Sequence, residues 1–287
     1  MVRTGDVQAP REFKSFYKNV SGGEGERCHY SVRLDTYGCG CQHDCSYCYA
    51  KSLLAFRNLW NSAEPRVADT KKVRRKIAAL EPGRVVRLGG MTDCFQPCEA
   101  THRATYEAIE AMNERGVHYL IVTKSPLVAS EDYLAVMDKR LAHIQMSISP
   151  TDDEWARKFE SAPAPSKRIA AIERLQLHGF DAHLRLSPFI GDAVDYGVLN
   201  RVECDKLLIE FLRVNHWIRK WLPIDLSRYT LKDGGYLHLP LAEKQRMLEG
   251  ATGFKELSVC DDVGEHYDYW GKHVNANPED CCNLRMG

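Results

Sequence analysis

Cys41, Cys45 and Cys48 fall in the run Gly-Cys-Gln-His-Asp-Cys-Ser-Tyr-Cys-Tyr-Ala, a Cx3Cx2C spacing. Thiolates are the usual ligands of iron–sulfur clusters, and clusters that only carry electrons are normally closed by four cysteines. A four-iron, four-sulfur cluster held by this run would keep one iron open, where a small molecule can coordinate. The competing chemistry is structural zinc, which takes four ligands, usually as two separated pairs. Cys39, two residues upstream, is the candidate fourth ligand for that reading.

The 287 residues suit one large domain with additions, and Lys plus Arg equals Asp plus Glu at 39 each. A zero net charge carries no global signature of nucleic-acid binding. The run Lys71, Lys72, Arg74, Arg75, Lys76 is the one candidate for a local basic groove, against the plainer reading of a solvated helix face. Eleven cysteines and an N-terminus without the apolar core of a signal peptide point to a reducing cytoplasm. No apolar stretch approaches the length of a membrane span.

The elements that must position the cysteines follow from alternating apolar and amphipathic runs. Strands are expected at 30–34, 85–88, 118–123, 144–149 and 182–186, and 207–214 reads as a strand or a helix. Between them, Asp69 caps a helix with Val73, Ile77 and Leu80 inward, and a second helix carries Tyr106, Ile109 and Met112 and stops at Gly116. Ser130 is expected to cap a third with Leu134, Met137 and Leu141 inward, and Ser166 a fourth with Ile169, Ile172 and Leu175, ending at Gly179. Strand then helix, repeated, implies parallel strands with right-handed crossovers.

Such folds place their active residues where strands run into the following loops. The cysteine run, Met91-Thr92-Asp93-Cys94, Lys124-Ser125, Ser147-Ile148-Ser149-Pro150 and Ser187-Pro188-Phe189 all fall at that edge. Five strand ends then converge on one mouth.

At this point the residues resemble a known family. The cysteine run, with Tyr47 as the aromatic before the last cysteine, resembles the signature of radical S-adenosylmethionine enzymes. Gly-Gly-Met-Thr-Asp-Cys-Phe-Gln-Pro-Cys-Glu (89–99), Ile-Val-Thr-Lys-Ser (121–125), Met-Ser-Ile-Ser (146–149) and Phe-Glu-Ser-Ala-Pro-Ala-Pro-Ser-Lys-Arg (159–168) are similar to its spore photoproduct lyase-like branch. The likeness runs from about residue 33 to residue 192.

The resemblance implies an α/β fold, a partial (β/α)6 TIM-like barrel over 31–225, with an N-terminal extension (1–30) and a C-terminal cap carrying substrate contacts (226–287). It implies a 4Fe-4S cluster on Cys41, Cys45 and Cys48, with S-adenosylmethionine chelating the open iron. Lys124 would meet the methionyl carboxylate and Ser147 would hydrogen-bond the cofactor. Thr92 and Asp93 would serve its amino group or ribose, and Tyr49 its adenine. Tyr47, Ser149 and Arg185 complete the expected cofactor set. A low-potential donor such as flavodoxin or ferredoxin would reduce the cluster, and the cofactor would yield a 5′-deoxyadenosyl radical that abstracts hydrogen from an unreactive carbon.

Cys94 and Cys98 are candidate hydrogen-atom donors, because an S–H bond is weaker than most C–H bonds; their plainer reading is buried thiols acting as small hydrophobes. Tyr267 is a third catalytic candidate. With Tyr269, Trp270 and His273 it would wall a substrate pocket by stacking on a base, or pack in the core of the cap. Cys260, Cys281 and Cys282 are candidates for an auxiliary iron–sulfur cluster, or reduced thiols. The expected substrate is a nucleobase such as thymine or a modified thymine in DNA. The alternatives are radical modification of a peptide or small metabolite, and a non-catalytic iron–sulfur or zinc protein.

Overall fold

The computed structural model describes residues 13–17 and 27–284, so most of the expected N-terminal extension lies outside the described residues. An eight-stranded sheet runs in the order β1 (Phe16–Tyr17), β2 (Arg33–Leu34), β3 (Val85–Leu88), β4 (His118–Thr123), β5 (Ala142–Ile148), β6 (Asp181–Phe189), β7 (Lys206–Phe211) and β8 (Glu256–Cys260). Neighbours from β2 to β8 are parallel, and β1 joins the edge antiparallel. This is the mostly parallel α/β sheet expected of a partial barrel. Of the segment 207–214, open between strand and helix, residues up to Phe211 form a strand, Val214 makes an isolated bridge, and a further parallel strand comes from residues 256–260.

Successive residues of a strand face opposite sides, and the strands use this to separate two environments. Val86, Leu88, Ile121, Ile144, Met146, Ile148, Leu184, Leu186 and Ile209 belong to the main hydrophobic core. The other face carries Arg87, Gln145, Ser147, Arg185, Ser187 and Glu210, with Ser147 in register with Arg185. A smaller core of Tyr30, Leu120 and Leu284, with Cys28 and Cys282 against it, brings residues 28–30 and 282–284 together on strand β4. Tyr30 Oη donates to Asp280 Oδ2 at 2.5 Å.

The helices explain themselves locally. In α1 (Tyr49–Leu54) the N-cap is Cys48, and in α2 (Thr70–Ala78) Asp69 Oδ1 accepts from Lys72 N at 3.0 Å. Val73 and Ile77 are buried beneath α2 while the basic run faces outward, with Arg74 paired to Glu114 at 2.8 Å. That run is a solvated helix face. In α3 (Ala104–Arg115) the helix stops at Gly116, whose φ of 67° suits glycine.

Two expected helix boundaries are corrected. The third helix, α4 (Glu131–Val136), ends before Met137, because Asn113 Nδ2 donates to Val136 O at 2.7 Å and Asp138 N to Tyr119 Oη at 2.8 Å. The fourth, α5 (Pro165–Leu177), is not capped by Ser166: Pro165 takes its first turn, and the Ser166 hydroxyl donates to Asp153 Oδ2 at 2.6 Å. Toward the C-terminus lie α6 (Leu241–Leu248) and α7 (Gly264–His273). Among the described residues no helix is long and apolar enough to cross a membrane.

At the amino ends of β4 to β6, His143 Nδ1 lies 3.0 Å from Asp181 Oδ2 and His183 Nε2 2.6 Å from Asp181 Oδ1. His118 Nδ1 lies 3.2 Å from His143 Nε2. Burial pushes the Asp181 carboxyl up, but the hydrogen bonds from His143 and His183 outweigh it and hold the group well below the ordinary range. Burial, then the neighbouring His143, pushes His118 below its ordinary value. The unfolded chain therefore binds more protons at both groups, and stability falls on acidification.

Urea midpoints measured against pH should drop first as pH falls through the ordinary histidine value of 6.5 and again below the ordinary aspartate value of 3.8. Asp181→Asn should shrink the second stage, the remainder coming from other depressed carboxyls such as Asp93 and Glu210. Ile144, fully buried in β5, should cost about 2–5 kcal/mol on Ile144→Ala. Leu177→Ala, at a side chain 87% exposed, should stay within about 0.5 kcal/mol in the same urea titration.

Candidate active site

The cysteine loop is folded by close backbone packing. A Cβ on Gly40 would sit 1.9 Å from Asn61 O, and Asn61 N donates to Cys39 O at 2.8 Å, so only glycine fits between Cys39 and Cys41. Asp44 N bonds Cys41 O at 3.1 Å, and Cys48 N bonds Cys45 O at 3.2 Å. Cys48 Sγ then accepts from Lys51 N at 3.4 Å. Cys41, Cys45 and Cys48 come out on one wall of a single cavity, with His43, Tyr47 and Tyr49, and Cys39 is not part of that lining.

Beneath the loop lies a buried carboxylate. Glu160 takes hydrogen bonds from Arg168 Nη2 and Tyr47 Oη, and Cys45 Sγ is 3.8 Å from its Oε2. Arg168 and Glu160 side chains are fully shielded from water, and Arg168 Nη1 also reaches Ser147 O at 3.3 Å. The backbone adds Ser46 N to Phe159 O at 2.8 Å and Ser161 N to His43 O at 2.7 Å. The run 159–168 is thus the brace of the cysteine loop.

The facing wall is built from the ends of β3 to β7. Asp35 Oδ1 accepts from the amides of Gly90, Met91 and Thr92 at 2.9, 2.8 and 3.2 Å, which shapes the loop after β3. Asp93 accepts from Thr123 Oγ1 at 2.7 Å, Lys124 N at 2.7 Å and Phe95 N at 2.8 Å, and its Oδ2 is 3.2 Å from His43 Nε2. Burial pushes the Asp93 carboxyl up, but His43 and the donated hydrogen bonds hold it below its ordinary value. Thr92 Oγ1 donates to Tyr37 O at 2.6 Å. Both Thr92 and Asp93 line the cavity, yet their polar atoms already have partners in the protein, so they tie strand ends together.

Lys124 extends across the cavity. Its Nζ donates to Ser147 Oγ at 2.7 Å and to Ser187 O at 3.0 Å, and burial pushes the amine down to about 8. Arg185 bonds Gln145 Oε1 at 2.6 Å and Glu210 Oε2 at 2.9 Å. At the mouth, the Arg213 guanidinium lies 4.7 Å from the centre of the Tyr49 ring and 5.1 Å from that of Tyr236, and 2.9 Å from Asp262 Oδ1. Tyr49 Oη donates to Gly90 O.

Of the sequence-predicted residues, Tyr47, Tyr49, Thr92, Asp93, Lys124, Ser147 and Arg185 line the cavity with the three cysteines, whereas Ser149, Cys94, Cys98 and Tyr267 do not. Ser149 donates to Ser187 O at 2.7 Å. Cys94 sits in the core with its thiol 3.7 Å from Leu34 O, and burial raises it. Cys98 lies at the start of the short helix Glu99–His102, and Tyr267 on α7, its phenol pushed up to about 12 by burial and by the nearby thiols Cys281, Cys260 and Cys28. His43, Arg87, Glu210, Arg213 and Asp262 line the cavity unforeseen. His43 was visible inside the cysteine run; the others carry no local signal.

The donor set fits an iron–sulfur cluster. Burial raises all three thiols above their ordinary values, an environment that favours thiolate only with a cationic metal alongside. Among the described residues no three Cys, His, Asp or Glu side chains gather as ligands of one metal ion. A family model of the radical SAM superfamily matches residues 36–192, more than half of the chain, and the chain belongs to that superfamily. Membership of that superfamily implies a 4Fe-4S cluster and S-adenosylmethionine as cofactors, and a reductant for the cluster.

Within the superfamily, its fold is similar to that of spore photoproduct lyase. That enzyme in complex with dinucleoside spore photoproduct superimposes with a TM-score of 0.57 at 17% identity, over 82% of this chain and 76% of that one. A mutant of it with bound AdoMet and the same dinucleoside gives 0.56 at 17%, over 83% and 78%. An uncharacterised protein of Methanocaldococcus jannaschii is 27% identical over 167 residues, covering 54% of this chain and 60% of that protein. One of Mycobacterium tuberculosis is 26% identical over 171 residues, covering 55% and 49%. The chain thus spans about half to three-fifths of the length of these curated relatives.

Arg168→Ala leaves Glu160 charged and unpaired in the interior. It should cost about 3–5 kcal/mol in urea unfolding, against a change within about 0.5 kcal/mol for the exposed neighbour in Lys167→Ala.

Proposed function

We propose that Cys41, Cys45 and Cys48 hold the cluster and that this radical SAM enzyme abstracts hydrogen from a nucleobase-type substrate, such as thymine or a modified thymine in DNA. The observation that carries the first half is the shared cavity: three thiols on one wall and the Lys124 amine, steadied by Ser147 and Ser187, on the other. When bound, the cluster would supply the electron for reductive cleavage of S-adenosylmethionine. Lys124 would hold the methionyl carboxylate, and Ser147 fixes the direction of the amine. Asp93 and Thr92 act as positioning residues, since Asp93 orients the Lys124 backbone and His43. Arg185 and Glu210 neutralise each other on the wall, so the Lys124 amine, held by Ser147 and Ser187, is free of Glu210 and available to a carboxylate of the cofactor.

The nucleobase reading is supported by the mouth, where Tyr49, Arg213 and Tyr236 offer aromatic and guanidinium planes of the kind on which bases stack. It is supported also by the likeness of fold to an enzyme solved with dinucleoside spore photoproduct. Hydrogen abstraction is directly readable as deuterium transfer into 5′-deoxyadenosine.

Cys48→Ala should lose reductive cleavage, measured as 5′-deoxyadenosine formed with dithionite, and Cys281→Ala should keep it. Lys124→Met removes a charge-assisted hydrogen bond of about 1.5–3 kcal/mol, so the dissociation constant for S-adenosylmethionine should rise roughly 10- to 150-fold. Oligonucleotides deuterated at thymine should pass deuterium to 5′-deoxyadenosine. Cleavage without transfer from any nucleic acid would replace this substrate class with a peptide or small metabolite.

A further inference from the structure

The helix that Cys48 caps, α1, leads out of the cysteine loop onto a surface that takes no part in the cofactor cavity. Five large apolar side chains stand exposed among the described residues. Three of them, Leu53 at 40%, Phe56 at 53% and Leu59 at 42%, follow one another at three-residue steps along this segment. The short helix His216–Trp221 lies against α1: Asn215 Nδ2 donates to Ser52 Oγ at 2.8 Å, and the Lys51 ammonium is 5.1 Å from the centre of the Trp221 ring. Trp221 stacks on Trp217 with ring centres 5.8 Å apart, and both are part-exposed. Scattered singly, such side chains need no explanation; gathered on one face, they mark an interaction site. The charge around them has one sign. Residues 45–63 and 211–224 contain Lys51, Arg57, Arg213, Arg219 and Lys220 and no aspartate or glutamate, in a chain whose total charge is zero. Lys51 pairs with Asp44 at 2.8 Å and Arg213 with Asp262 at 2.9 Å, while Arg57, Arg219 and Lys220 stand exposed.

We propose that this face docks an acidic protein that carries one electron at low potential and delivers it to the cluster by way of the cysteine loop. The inference rests on the reading of Cys41, Cys45 and Cys48 as the cluster ligands. In the step the donor loses one electron and the cluster gains it; no bond forms or breaks. An apolar centre of aromatic and aliphatic groups with a cationic rim complements a negatively charged protein. Nucleic-acid interfaces are more polar than this, and Leu53 and Leu59 suit them poorly. Partners that exchange electrons meet over small areas, which a face built from two short helices provides. Its place in the chain serves the purpose as well: Leu53 is five residues on from Cys48, a rise of about 8 Å along a helix.

The test uses the full chain, loaded with cluster and kept anaerobic, with flavodoxin, an acidic flavoprotein, as the probe. Calorimetry reads the dissociation constant of oxidised flavodoxin. Formation of 5′-deoxyadenosine is read separately with reduced flavodoxin and with dithionite, a small reductant that needs no docking face. Arg219→Glu combined with Lys220→Glu should raise the dissociation constant roughly tenfold at low salt, the difference narrowing at high salt. The same variant should raise the KM for reduced flavodoxin and leave dithionite-driven cleavage unchanged. Phe56→Ser, at an exposed side chain, should weaken docking without altering its salt dependence. Lys71→Glu combined with Arg75→Glu, an equal change of charge on the solvated face of α2, should leave docking as it was. Flavodoxin binding untouched by both face variants, or weakened equally by the α2 control, would overturn the proposal. So would loss of oligonucleotide binding in the Arg219, Lys220 variant with flavodoxin binding intact, which would make the face a nucleic-acid contact. Failure here leaves dithionite-driven cleavage intact, whereas failure of the cluster reading abolishes it in the unaltered protein, and calorimetry then still reads the face.

Discussion

A sheet that is apolar on its outer face and charged on its inner face imposes the governing constraint on this molecule. The outer residues of β3 to β7 bury themselves against helices at no electrostatic cost. The inner ones must find partners inside the barrel, because an isolated charge away from water is strongly unfavourable. Arg185 turns to Glu210 and Gln145, Lys124 to Ser147 and Ser187, and Asp93 to His43, Thr123 and the Lys124 amide. Each pairing joins neighbouring strand ends, so solving the charge problem also fixes the shape of the cofactor cavity.

The same economy appears under the cysteine loop. Glu160 is held by Arg168 and is in turn the partner of Tyr47 and the neighbour of Cys45. A buried ion pair is weak evidence for net stability and better evidence for specificity of placement. Here it sets the height of the loop relative to β5, since Arg168 also bonds Ser147 O. The loop and the lysine opposite it are therefore referenced to one strand.

Much of this was legible in the residues alone. The apolar runs of β4 and β5 and the cap at Asp69 are local signals, and the three cysteines and Thr-Lys-Ser point to the cavity without help from distant parts of the chain. What escaped was long-range. Nothing near Thr92 announces that its hydroxyl is taken by Tyr37 O, or near Ser166 that Asp153 has claimed its side chain. Cys28 is a lone cysteine in sequence and joins Cys282 only when β4 brings the two segments together. Glu160 lies in a recognisable run, but its partner Cys45 is 115 residues away, beyond any periodicity.

Arg213 occupies one more position of this kind. It lies between the rings of Tyr49, the first residue of the helix that Cys48 caps, and Tyr236, on the hairpin strand Tyr236–His238 that bridges back to Val214 through Leu237. The hairpin at the mouth and the helix rooted in the cysteine loop thus share one cation as their hinge pin. Removing the Arg213 guanidinium would therefore cost the hairpin and the helix behind the cysteine loop a contact at the same time.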